Sequence, residues 1–150
     1  MNQYQYILDA LPYRSPFLFV DELSKVDDEG VIGKYHVKPD EYFFAGHFPD
    51  HPIVPGVIIA EIMAQIGLVS LGIHLAGKRK SGENILPVFS NANIDFLAKA
   101  GPNDLLIVES KKIYFRFNKL KCQISCRKED GTKIANGECS GMIINKSAIE

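Results

Sequence analysis

The sequence predicts an α+β fold in which a strongly curved antiparallel sheet of six strands wraps around one long central helix. Three observations predict it. Segment 56–74 is apolar on almost every face, six further segments alternate in hydrophobicity or run apolar, and turn residues separate those six. A helix that is apolar all round is either buried or membrane-spanning. At 150 residues the chain has the size of one ordinary domain, so we assign residues 1–150 to a single domain.

The N-terminal elements are a short helix over 4–11, which Pro12 ends, and then a hairpin whose turn is formed by 27–30. Asp130-Gly131 is a second, stronger hairpin signal. Period-two alternation and apolar runs predict the strands at 17–26, 31–37, 86–97, 104–117, 120–129 and 132–145. These strands can cover the long helix on most sides only if the sheet is curved.

The long helix is expected over 56–74. Pro55 lies at its start, where the missing N–H costs nothing. Glu61 and Gln65 lie near its middle, and a bilayer would penalise both, so we interpret the segment as a core helix and predict no membrane span. One sheet of this length leaves part of such a helix uncovered. We therefore expect homodimerisation to complete the core.

Composition narrows the function classes. Hydrophobic residues make up 46% of the chain, which is enough for a real core and excludes a wholly disordered protein. The net charge of −1 argues against a nucleic-acid-binding protein, which usually carries a basic excess. Three cysteines without a C-x-x-C pair, and a first segment that lacks the pattern of a signal peptide, predict a cytoplasmic protein.

The candidate site lies within residues 46–61. His47 is placed in a loop stiffened by Pro49, and Gly56 begins the helix with its N–H at the positive end of the helix dipole. Glu61 is the lone carboxylate of an apolar helix. Because burying an unpaired carboxylate is costly, Glu61 must be hydrogen-bonded, protonated or functional. Together these residues offer a base, an acid and an oxyanion hole.

Elimination of water across Cα–Cβ of a thioester requires that combination of groups and no cofactor. A base takes the α-proton, helix N–H groups hold the charge on the thioester oxygen, and an acid protonates the departing hydroxyl. A metal site is the alternative, because His47 and His51 are four residues apart. Pro49 and Pro52 prevent a helix there, so the spacing does not place both rings on one face, and we predict no metal.

The motifs resemble those of the FabZ-type 3-hydroxyacyl-[acyl-carrier-protein] dehydratases, which have the hot-dog fold. The opening 11–21, LPYRSPFLFVD, is similar to LPHRYPFLLVD of the family. Segments 43–49 and 51–65, FFAGHFP and HPIVPGVIIAEIMAQ, are similar to FFxGHFPxxPIxPGVLxxEAMAQ, with the interval of fourteen residues between His47 and Glu61 preserved. Weaker similarity continues through Phe96, Pro102 and Asp104.

The resemblance implies a role for each motif residue. His47 is the catalytic base and Glu61, from the partner protomer, is the acid. The Gly56 N–H binds the thioester carbonyl, and the Ile53 carbonyl orients the His47 ring. The aromatic loop, the helix and the 92–104 region supply the candidates for an acyl tunnel: Phe44, Phe48, Ile58, Ile62, Gln65 and Phe96.

The same resemblance implies the partners. The substrate is an acyl chain on the phosphopantetheine arm of acyl carrier protein, and the assembly is an obligate homodimer, often a trimer of dimers. The chain departs from the family at Tyr13, where the family has His, and over 92–104, where Asp95 replaces an Arg. A diverged dehydratase of fatty-acid synthesis, or of a specialised pathway to polyene-type chains, is the hypothesis. The alternatives are a hot-dog acyl thioesterase and a non-catalytic partner of another dehydratase.

Overall fold

A computed structural model describes residues 2–77 and 85–145. It contains a short N-terminal helix, α1, at Gln5–Ala10, and a long helix, α2, at Gly56–Ala76. The strands are β1 at Glu22–Asp27, β2 at Gly30–His36, β3 at Ile85–Phe96, β4 at Leu105–Arg116, β5 at Lys119–Lys128 and β6 at Lys133–Asn145. The predicted number, type and order of elements are confirmed.

All six strands form one antiparallel sheet in the order β1-β2-β4-β5-β6-β3. Alternate residues of β2, β4 and β5 are buried, because successive side chains of a strand point to opposite faces of the sheet. The buried faces enclose α2, which contacts β2, β4, β5 and β6. The β3 strand forms one edge, and Val88, Phe89 and Phe96 on it are exposed.

The α2 helix is the centre of the hydrophobic core. Ile62, Met63, Ile66 and Leu71 are fully buried on it. Its middle, Ala64–Val69, is a π-helical turn. Such wider turns occur mostly as short insertions in α-helices, frequently at functional sites. A Cβ on Gly67 would lie 3.0 Å from Ile124 and 3.1 Å from Ser110, so glycine at this position allows close approach of the helix to the sheet.

Within residues 2–77 and 85–145, α2 is the one helix long and apolar enough to cross a membrane by length and composition. In the structure, 61% of its apolar window is buried inside the fold. Enclosure by the sheet therefore accounts for its apolar sequence.

The predicted first strand, 17–26, is wrong at its start, because β1 begins only at Glu22. Although apolar, Phe17 and Phe19 bond their backbone to a side chain instead of a neighbouring strand. The Phe19 N–H donates to Gln65 Oε1 at 2.8 Å, and the Phe17 carbonyl accepts from Gln65 Nε2 at 3.0 Å. The expected Asp130-Gly131 turn is confirmed, and Gly131 has φ +94°.

Candidate active site

His47 lies in a loop whose hydrogen bonds are local in sequence. The His47 N–H donates to the Phe43 carbonyl at 3.1 Å, and the His47 carbonyl accepts from the Ile53 N–H at 2.9 Å. Between them, Phe48 and His51 exchange two backbone hydrogen bonds of 2.8 Å. The His47 ring stacks on Phe48, with 4.0 Å between ring centroids. The loop thus fixes both the backbone and the ring plane of His47.

The orientation of the ring also selects its tautomer. His47 Nδ1 lies 2.9 Å from the Ile53 carbonyl oxygen, the contact that the family resemblance implies. A carbonyl can only accept, so Nδ1 is the protonated nitrogen, and in the neutral ring Nε2 carries the lone pair. The basic atom of the half-buried His47 side chain is therefore Nε2, which takes no part in the bond to Ile53.

Immediately after this loop, α2 begins with free N–H groups. The first intrahelical bonds are those from Ile58 and Ile59 to the Pro55 carbonyl, at 2.9 and 3.0 Å. Gly56 and Val57 precede them, and helix geometry leaves the N–H groups of these two residues without an intrahelical acceptor. Gly56 is exposed, and a Cβ on it would meet the Phe96 ring at 3.6 Å. The helix start thus presents free N–H donors beside an aromatic ring.

Glu61 lies one and a half turns further along α2, and its carboxyl is half-buried. Gln65 Nε2 donates to Glu61 Oε2 at 2.9 Å. The Gln65 amide is itself fully buried, and its oxygen accepts from Phe19 while its nitrogen also donates to Phe17. Because the Phe19 N–H can only donate, the orientation of this amide is fixed, and Nε2 is a true donor to Glu61.

Glu61 lines a cleft of about 910 Å³, which we call the Glu61 cleft. Residues from α1 and the following segment, from α2, and from the ends of β3 to β6 line it: Tyr6, Leu11, Tyr13, Glu61, Ala64, Leu68, Gly72, Ala76, Val88, Phe89, Phe115, Leu120 and Met142, among others. His47 and Gly56 of the same chain are not among the lining residues. Within one chain, the candidate acid and the candidate base thus do not share this cleft.

Tyr13 is a residue of the Glu61 cleft whose placement the sequence reasoning missed. Burial raises the pKa of the Tyr13 hydroxyl well above its ordinary value, and the negative charge of Glu61 raises that pKa further. Tyr13 therefore stays a neutral hydrogen-bond donor at any physiological pH. The sequence did contain one signal for this position, because the family has a histidine where this chain has Tyr13.

The tunnel candidates fall into two groups, and none lines the Glu61 cleft. Four of them belong to the buried core: Phe44, Ile58, Ile62 and Gln65. Phe48 and Phe96 are exposed by 49% and 51% of their surface. In the single chain, the Gln65 amide is hydrogen-bonded to Phe17, Phe19 and Glu61, and through the last of these bonds it holds the Glu61 carboxyl in place. The cleft-lining positions Leu68, Gly72 and Ala76 could have been found by stepping along the helix from Glu61 in threes and fours.

Across the part of the chain that the structure describes, no three His, Cys, Asp or Glu side chains are grouped closely enough to hold a metal ion. His51 is exposed, and its backbone closes the turn that precedes Ile53. His74 lies at the other end of α2. Its Nδ1 is 3.1 Å from the Tyr6 hydroxyl and its Nε2 is 2.9 Å from Asp28 Oδ1.

A family model described as a FabA-like domain matches residues 11–139, which include every residue of the candidate site. The chain belongs to the FabA-like family. The FabZ 3-hydroxyacyl-[acyl-carrier-protein] dehydratase of Brucella ovis is 39% identical over 143 residues, which cover 93% of this chain and 87% of that protein. The protein of the same name from Acidiphilium cryptum is 35% identical over 145 residues, which cover 96% of this chain and 86% of the Acidiphilium protein.

Solved structures with a similar fold include proteins named as dehydratases and as thioesterases. The dehydratase heterocomplex ApeI:P from Xenorhabdus doucetiae aligns with a TM-score of 0.80 at 16% identity, covering 95% of this chain and 93% of that one. A hypothetical thioesterase with coenzyme A from Streptococcus pneumoniae aligns with a TM-score of 0.61 at 12% identity, covering 95% and 94%. At such identities the likeness concerns the fold alone. The fold is the hot-dog fold, as expected.

Proposed function

We propose that this protein dehydrates 3-hydroxyacyl thioesters carried on acyl carrier protein to trans-2-enoyl thioesters, in the synthesis of acyl chains. The observation that carries the proposal is that this FabZ-like chain orients both candidate groups by hydrogen bonds. His47 has Nδ1 bonded to Ile53, and Glu61 is held by Gln65 in an apolar cleft. Identity of 35–39% over most of the chain with FabZ dehydratases supports it.

In the proposed reaction, His47 Nε2 takes a proton from Cα of the substrate. The electron pair forms the Cα–Cβ double bond, the bond from Cβ to the hydroxyl oxygen breaks, and Glu61 gives that oxygen a proton so that it leaves as water. The Gly56 N–H stabilises the charge that develops on the thioester oxygen. The Ile53 carbonyl holds the His47 ring in the tautomer that leaves Nε2 free.

We further propose that the working unit is a homodimer with shared sites. The exposed apolar edge of β3 supports this, because a long edge strand with apolar side chains readily pairs with another strand. The separation of His47 from the cleft of its own Glu61 supports it as well. In this arrangement His47 of one protomer completes the Glu61 cleft of the other. We also expect three such dimers to assemble into a hexamer, and we expect the protein to reside in the cytoplasm.

One experiment tests the reaction and the shared site together. His47→Ala and Glu61→Gln are purified as separate inactive proteins, then mixed under conditions that exchange subunits, and turnover of a 3-hydroxybutyryl thioester is followed by mass spectrometry. A heterodimer pairs the intact His47 of one protomer with the intact Glu61 of the other, so one of its two sites works. We expect such heterodimers to recover half of the wild-type rate.

Three outcomes would count against the proposals. Absence of recovery in confirmed heterodimers would place both groups in one chain and remove the shared site. Release of free thiol without an enoyl product would reveal a thioesterase. A wild-type protein that turns over nothing alone, but raises the activity of another dehydratase, would reveal a non-catalytic partner.

A further inference from the structure

The segment that joins β2 to α2, residues 37–55, carries His47, and we call it the His47 loop. Its internal hydrogen bonds orient His47 within the loop. Backbone bonds to the 100–104 turn hold its two ends, because the Val37 and Val54 N–H groups each donate to a carbonyl of that turn at 2.9 Å. The stretch between these ends, which includes His47, is attached to the sheet by a side chain.

That side chain is Glu41, whose carboxyl joins the loop to β2. Glu41 Oε2 accepts a hydrogen bond from the hydroxyl of Tyr35 on β2. The same oxygen accepts from the Lys38 N–H at 3.1 Å, within the loop. Lys38 Nζ lies 3.2 Å from the Tyr35 hydroxyl oxygen and 4.6 Å from the centroid of its ring. One carboxylate oxygen thus ties a strand to a turn of the loop, and a lysine lies beside the pair.

Tyr35 is a rigid anchor for this tie. Only 2% of its surface is exposed, and its ring packs edge-on against Phe19, with 5.4 Å between ring centroids. Burial raises the pKa of the Tyr35 hydroxyl well above its ordinary value, and the hydrogen bond to Glu41 raises that pKa further. Tyr35 therefore donates to Glu41 at any working pH. A hydrogen bond to a charged acceptor is stronger than one between neutral groups.

Two overlapping turns lead from Glu41 to the candidate base. The Phe44 N–H donates to the Glu41 carbonyl at 3.1 Å, and the His47 N–H donates to the Phe43 carbonyl at 3.1 Å. The Phe44 side chain is buried in the core. A displacement of Glu41 is therefore passed along these turns to the backbone of His47.

We infer that Glu41 is a positioning residue for the candidate base, because it ties the His47 loop to β2 through the buried Tyr35 hydroxyl and so sets where the His47 ring lies. This inference rests on the proposed dehydration, in which Glu41 touches no reacting atom and acts through the loop. Displacing a catalytic group by about 1 Å can cost about 10²-fold in rate. Loss of the tie should therefore appear in kcat and not in KM.

Two variants of Glu41 test the tie from the loop side. Glu41→Ala removes it, and we expect kcat for a 3-hydroxybutyryl thioester to fall about 10- to 100-fold, with KM within about twofold of wild type. Glu41→Gln keeps an oxygen that can accept both hydrogen bonds, so its kcat should stay within about threefold of wild type. Glu129→Ala, at an exposed glutamate, is the matched control and should keep wild-type kinetics.

Tyr35→Phe tests the tie from the strand side, because it removes the hydroxyl and keeps the ring in the core. We expect it to lower kcat as Glu41→Ala does. Since both substitutions break the same bond, the double variant should lose no more activity than Glu41→Ala alone.

Amide hydrogen exchange separates this inference from the proposed reaction, because it needs no turnover. Exchange is measured residue by residue by NMR in the wild type and in Glu41→Ala. We expect exchange about tenfold faster or more at the Phe44 and His47 N–H groups, and unchanged exchange at the Phe19 N–H, which is bonded in the core. Faster exchange confined to the loop supports the tie even if the wild type is inactive, an outcome that would overturn only the reaction.

Three results overturn the inference. One is a kcat within about twofold of wild type in both Glu41→Ala and Tyr35→Phe. Another is exchange that rises equally at His47 and Phe19, without recovery of kcat in Glu41→Gln, which would limit Glu41 to a role in global stability. The third is a double variant whose losses add, which would mean that Glu41 does not act through Tyr35.

Discussion

His47 and Glu61 are held in opposite ways. The hydrogen bonds and the ring stacking that orient His47 come from residues within six positions of it, Phe43 to Ile53. Glu61 is held by Gln65, and Gln65 is held in turn by Phe17 and Phe19, which lie more than forty residues earlier in the chain. The base is thus positioned by a local loop, and the acid by the tertiary fold.

The difference indicates how each group responds to change. A loop closed by its own backbone tolerates changes elsewhere in the protein, since few of its contacts are distant. The Gln65 amide is fully buried and bonded at both its oxygen and its nitrogen, so one substitution removes the support of Glu61 and also removes the partner of the buried Phe19 N–H. Catalysis and stability should be separable at His47 and coupled at Gln65.

The largest effect is expected from removing the acid or the base itself. His47→Ala and Glu61→Gln should each lower kcat for a 3-hydroxybutyryl thioester by about 10²–10⁴-fold, the usual worth of a general acid or base. Both side chains are only half-buried, so the melting temperature should change little. Steady-state kinetics and thermal denaturation measure the two quantities. Turnover at the wild-type rate in either variant would remove that residue from the mechanism.

The second prediction breaks the support of Glu61 without touching the carboxyl. Gln65→Met keeps the size of the side chain but removes the hydrogen bonds to Phe17, Phe19 and Glu61. We expect kcat to fall by about 10²-fold, as for a slightly misplaced catalytic group, with KM nearly unchanged. The buried Phe19 N–H left unsatisfied should lower the free energy of unfolding by about 1–3 kcal/mol.

The matched control is Gln123→Met on β5, where the glutamine is exposed. This variant should retain both stability and kcat. A Gln65→Met protein that loses stability but keeps the wild-type kcat would limit Gln65 to a structural role.

The smallest effect is expected at Tyr13, which shares the cleft with Glu61. Tyr13→Phe removes a neutral donor and should lower kcat/KM by the value of one hydrogen bond, about 0.5–1.5 kcal/mol or roughly two- to tenfold. Because burial and Glu61 raise the pKa of Tyr13, its hydroxyl does not titrate in the working range, and the pH profile of Tyr13→Phe should match the wild type.

Tyr13→His provides the contrasting variant. Histidine ordinarily titrates near about pH 6.5, so its protonation beside Glu61 should add a limb to the pH profile in that region. An unaltered profile would mean that position 13 does not influence the site. A loss in Tyr13→Phe as large as that in His47→Ala would make Tyr13 a catalytic residue.

The sequence determined the parts of this protein that depend on near neighbours. Alternation located the strands, Asp130-Gly131 located a turn, and an apolar run after Pro55 located the helix. The two candidate catalytic residues came from one motif, because the loop that orients His47 and the helix that carries Glu61 are continuous in the chain. The hot-dog fold followed from the same motifs by resemblance.

Only the tertiary structure decided what holds the acid and what forms the cleft. The apolar run at 17–21 predicted a strand, and nothing local indicated that Gln65 would accept and donate its backbone bonds instead. The tunnel candidates came from the aromatic loop, the long helix and the 92–104 region, whereas the Glu61 cleft is lined from α1, α2 and the ends of the strands together. A sequence specifies periodicity and local geometry directly, but which distant surfaces meet depends on how the curved sheet closes around the helix.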